Sequence, residues 1–131
     1  MASPRMLNTL TALAARNLTA SIDKDGDVVF KRDGKTWIIF IDDADPTFFR
    51  IALPNFWPIE DEDERQRAFA ACSHASCAVK VAKVFVVNDN IWASAELLLP
   101  DGDWTAIFDR CLDTLDLVVS SFISQMRKTA P

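Results

Sequence analysis

The stretch Ala71–Cys77, ACSHASC, holds the chain's single histidine and two of its three cysteines. These are side chains that bind metals and attack electrophiles, so chemistry is sought here first. A closed zinc site takes four ligands, usually as two close pairs. Cys72, His74 and Cys77 supply three, on a segment whose pattern reads as helix. At about 100° per residue, Cys72 and Cys77 point about 140° apart and His74 lies about 160° from Cys72. Only His74 and Cys77 share a side. The expected role is structural: small residues that let a helix lie close to its neighbour.

Other chemistry fares no better. A Ser or Cys nucleophile needs a base, and His74 is the sole histidine. There is no GxSxG elbow, P-loop or GxGxxG, and three glycines cannot build a phosphate cradle. DKDGDVVFKRDG sets Asp23, Asp25 and Asp27 where a calcium loop has its first ligands. Val28 then stands where that loop requires Gly, and Gly34 where it requires a bidentate Glu. The segment reads as a turn entering a strand. We expect no catalytic residue, no cofactor and no metal ligand.

The elements that would position any site follow from periodicity. Ser3-Pro4 is a helix start, with Met6, Leu7, Leu10, Ala14 and Leu18 at helical spacing, fading near Thr19–Ser21. The first 22 residues are free of acid, which also suits a transit peptide; the helix is preferred because a sheet needs covering. VVFKRDGKTWIIFID is a hairpin turning at Asp33-Gly34, where a primed turn demands positive φ. TFFRIAL is a third strand, and PNFWPI a loop bounded by prolines that cannot donate to a ladder. EDEDERQRAFAACSHASCAVK is a helix with acids at its dipole-favoured start. VAKVFVV and IWASAELLL form a second hairpin around NDN. From Trp104 to Met126, apolar residues recur at three- and four-residue steps in the clearest amphipathic helix, with Asp103 as its expected cap. The reading is one domain over residues 1–131, class α+β, with a largely antiparallel sheet in the order α-β-β-β-α-β-β-α.

Composition bounds the function. Half the 131 residues are hydrophobic and a quarter charged, and the net charge is -5. Phosphate neutralisation needs clustered Lys and Arg, so no nucleic-acid partner is expected. Three cysteines cannot all pair, which favours a reducing, cytoplasmic location, and no apolar run approaches a membrane span.

The strands carry the functional hint. A sheet with one wet face alternates apolar and polar residues. Here Ile38 and Phe40 oppose Trp37, Ile39 and Ile41, Phe48 opposes Phe49, and Trp92 and Leu98 oppose Ile91, Ala93, Ala95 and Leu97. Large apolar groups on both faces point to a second chain, as homodimer or partner.

GDVVFKRDGKTWIIFID, FFRIALPNFW, VKVAKVFVVNDNIWASAELLL and WTAIFDRCLDTLDLVVSSFISQMR together resemble the YbjN-like family, over about residues 5–128. That family is similar in fold to the class I type III secretion chaperones, which are small, acidic, mostly dimeric proteins holding extended effector segments. The resemblance implies a secretion-chaperone-like fold and no catalytic residues. The middle helix departs from such a chaperone in being rich in Ala, Ser and Cys. The expectation is a non-enzymatic, chaperone- or adaptor-like protein-binding module, homodimeric, taking a partner with a basic or extended segment. Phe56, Trp57 and Trp92 are the candidate contacts. The alternative is a small-molecule sensor or minor enzyme with a pocket under the helices, for which Arg50, Lys83 and Glu96 are the candidate titratable groups.

Overall fold

Ser3 opens the first helix: its hydroxyl accepts the Met6 N–H at 3.3 Å, and Pro4 takes the first helical position. In this computed structural model, which describes residues 2–131, helix α1 spans Pro4–Ala14. It stops before the expected end because Asn17 adopts φ 60° and the Leu18 N–H returns to the Leu13 carbonyl at 3.1 Å. Asn tolerates this left-handed position, so the chain reverses there. The freed residues Ala20–Ile22 form a short edge strand, β1, that was not expected.

Strands β2 (Val28–Arg32) and β3 (Lys35–Phe40) form the expected hairpin, with Asp33 at φ 53° and Gly34 at φ 75°. Both signs suit a primed turn, whose twist matches that of the strands. The hairpin is tied to the helical layer by Arg32, which grips Asp116 through two hydrogen bonds of 3.0 and 2.8 Å.

Strand β4 runs Phe48–Pro58 and corrects the reading of PNFWPI as a loop. Its pairing with β3 ends at Ala52, so Pro54 interrupts no ladder on that side. On the other side the register shifts between Leu53 and Trp57, where Asn55 takes φ 52°. The bulge absorbs Pro54 and the strand continues to Pro58, its last residue.

Helix α2 (Glu62–Ala78) is capped by Asp61, whose carboxylate accepts the Glu64 N–H at 2.8 Å. Strands β5 (Lys83–Val87) and β6 (Asn90–Leu98) follow, then helix α3 (Phe108–Lys128). Asp103 does not cap α3. It accepts the N–H and hydroxyl of Thr105 at 2.9 and 2.7 Å, which hold its carboxyl below the usual range, and so it organises the preceding turn.

The six strands lie in the order β1-β2-β3-β4-β6-β5, every neighbour antiparallel. The expected α+β order holds with one short strand added. The helices pack on a single face. There Phe30 meets Phe108 at 5.9 Å between ring centroids, and Phe49 stacks on Trp104 at 5.3 Å. Val28, Trp37, Ile39, Ile51, Ile91, Leu115, Val118 and Phe122 fill the space between the layers and are inaccessible to solvent.

Candidate protein-binding surface

Side chains alternate along a strand, so every residue between the core positions points to the opposite face. Among the described residues no helix covers that face, and it carries Val29, Ile38, Phe40, Phe48, Phe85, Trp92 and Leu98. At its centre sit two small residues, Ala52 and Ser94, paired across β4 and β6. Both are buried although no helix overlies them. Phe40 and Trp92 lean in over this pair from either side and stack at 6.3 Å. The Arg50 guanidinium lies over the Phe40 ring, 4.4 Å from its centroid.

Arg50 stands directly opposite Glu96, with Nε 3.2 Å from Oε1. The pair does not meet hydrogen-bond geometry, and Arg50 Nε is buried without another acceptor. This is a charge pair held against an aromatic stack, not a buried acid–base site. Lys83, the third group considered with them, lies apart: its ammonium donates to the Ser76 and Val79 carbonyls at the end of α2, at 2.9 and 3.3 Å.

The three aromatic candidates separate. Trp92 lies on the uncovered face, half-buried, its indole N–H donating to Asn55 Oδ1 at 2.9 Å. Phe56 and Trp57 sit at the edge of the helical layer, each edge-on to Phe122 at 5.7 Å. The Trp57 indole N–H donates to Glu64 at 3.3 Å. The acidic run Glu60–Glu64 thereby fastens an aromatic plug and caps α2. Phe48 and Leu98, paired on the uncovered face, were not singled out as contacts. Their signal was the broken alternation itself, and Leu98 is 76% exposed.

The cysteine–histidine segment lies elsewhere. Ala68, Ala71, Cys72 and Ala75 are the buried residues of α2, at the spacing that forms one stripe. Burial pushes the Cys72 thiol up to about 11 and raises that of Cys111 as well. Thiols, not thiolates, are therefore present near neutral pH, and the thiolate is the ligand and nucleophile. His74 and Cys77 face solvent. Asp23 shows a similar division of labour, accepting the N–H groups of Asp25 and Asp27 at 2.9 Å each to shape a turn.

The grooves are open ones. One of about 640 Å³ runs between the end of α2 and the outer side of α3, past Val79, Arg110, Asp113 and Leu117. It lies outside the helices, not under them.

These features define an α+β domain with one sheet face under helices and one bare. The fold is YbjN-like. The crystal structure of YbjN from E. coli, described there as a candidate transcription regulator, superposes with a TM-score of 0.63 over 89% of this chain and 87% of that one, at 14% identity. No family model matches the sequence. No curated protein matches it. Among the described residues no helix is long and apolar enough to cross a membrane.

Proposed function

We propose that this protein is a non-enzymatic, chaperone- or adaptor-like module that works as a cytoplasmic homodimer and holds a partner's segment on its uncovered sheet face. The observation that carries the reading is the apolar character of that face, which the three helices leave bare. Patches of this kind on soluble domains mark sites of association. Trp92 and Phe40 give it a rigid aromatic centre, of the type that anchors interfaces. Phe48 and Leu98 add aliphatic and aromatic area at one end. The net charge of -5 favours a partner with a basic or extended segment and speeds encounter more than it adds affinity. The same charge disfavours phosphate backbones. A regulatory role, as suggested for the E. coli neighbour, would in this chain run through protein contacts.

The test is site-specific photocrosslinking. Leu98 is replaced by benzoylphenylalanine in the full chain, and cells producing it are irradiated. A discrete protein adduct is expected, lost when Trp92→Ala is added. An adduct pattern no different from that of the same probe at exposed Thr11 on α1 would overturn the reading.

A further inference from the structure

The two edges of the sheet are finished differently. At β5 the outward N–H of Val84 donates to Ser76 Oγ at 3.0 Å, and that hydroxyl donates back to the Val84 carbonyl at 3.2 Å. With Lys83 fastened beside it, the end of α2 covers the start of this edge, at Val84.

At β1 the Lys31 N–H donates to the Thr19 carbonyl at 3.1 Å, and the Asp23 N–H to the Asp27 carbonyl at 2.9 Å. Thr19, Ser21 and Asp23 therefore turn their backbone groups toward β2. Alternation sends the N–H and carbonyl of Ala20 and Ile22 outward. No described residue bonds them. Nor does the strand, Ala-Ser-Ile, carry the proline, charge or bulge that blunts a free edge.

The outward residues are placed symmetrically about Ser21. An antiparallel second copy with Ser21 facing Ser21 sets Ala20 opposite the partner's Ile22 and Ile22 opposite the partner's Ala20. Each such pair exchanges two hydrogen bonds, so one two-fold axis satisfies every outward group of both strands. At the axis the side chains approach closely, and Ser21 is small and exposed. We infer that β1 is the seam of a homodimer, joining two sheets into one with all helices on one side and both bare faces continuous on the other. This rests on the homodimeric reading above and names its interface.

The test uses the full chain in sedimentation equilibrium. Wild type is expected to be a dimer. Ala20→Pro removes an outward donor, and Ser21→Lys sets like charges across the axis; each should weaken dimerisation at least tenfold. Because the Ser21 side chain is exposed, Ser21→Lys decides the matter if Ala20→Pro does not fold. In a Cys77→Ser background, Ser21→Cys should oxidise to a linked dimer, since opposed strand residues at such a pair lie about 4.5 Å apart, within disulfide reach. A dimer that both variants leave intact, with no Ser21→Cys linkage, overturns the seam and leaves the homodimer standing. A wild-type monomer at every concentration overturns both. Neither result touches binding at the bare face, which the crosslink at Leu98 reads separately.

Discussion

Asp27 joins the first turn to the end of β3, its carboxylate accepting the Ile41 N–H at 2.9 Å. Burial is the leading cause that raises its carboxyl above the ordinary value; the Ile41 N–H opposes this, and the charges of Asp23 and Asp25 add to it. The folded pKa thus lies above the unfolded one. Stability tied to this group is whole below the unfolded pKa and lost as pH rises through the folded value. Asp27→Asn keeps an acceptor and drops the charge, so it should equal or exceed wild type in urea unfolding at pH 7, with the advantage shrinking toward pH 4. Asp27→Ala strands the Ile41 N–H and should lose about 1–3 kcal/mol at both. At this scale the sequence was a fair guide to helical geometry. Cys72 and Cys77 separate on the helix as the wheel requires. It was a poorer guide to aromatic residues: Phe56 and Trp57 pack on Phe122, a partner far away in the chain, and no local pattern reveals that.

Among the elements, those set by local chemistry were legible and those set by tertiary pairing were not. The Asp33-Gly34 turn and the Ser3 cap are written in adjacent residues. β1 is three residues long and owes its existence to β2, while Pro54 joins β4 through a bulge in the pairing with β6. Helix α2 shows what its composition is for. Ala68, Ala71 and Ala75 are fully buried beside Cys72, so the helix lies close on its surroundings through small side chains. A larger side chain there must push the layers apart. Ala71→Leu should cost about 1–3 kcal/mol by chemical denaturation. Ala70→Leu, one position along and exposed, should leave the midpoint unchanged.

For the molecule as a whole, alternation along the strands correctly announced two apolar faces. It could not say how the helices divide between them. The structure answers that: all three crowd one side, so the other relies on Phe40 and Trp92 folding over Ala52 and Ser94 for what shelter it has. Such a face leaves apolar area that the protein's own helices do not cover. What the proposed partner would be was not legible, because a flat apolar surface encodes shape and charge more than identity.

The sulfur atoms provide a way to watch this body breathe. Cys77 is open to solvent, whereas Cys72 and Cys111 lie sealed in the core. A thiol reagent added to the native protein should consume one equivalent at once and the other two only as the interior exposes itself. If Cys72 and Cys111 then react at one shared rate, α2 and α3 open with the whole core; if Cys72 leads, α2 detaches first. Mass spectrometry of the labelled peptides distinguishes the two. The chain therefore carries its own clock for cooperative unfolding, with an internal zero mark, and needs no engineered probe to read it.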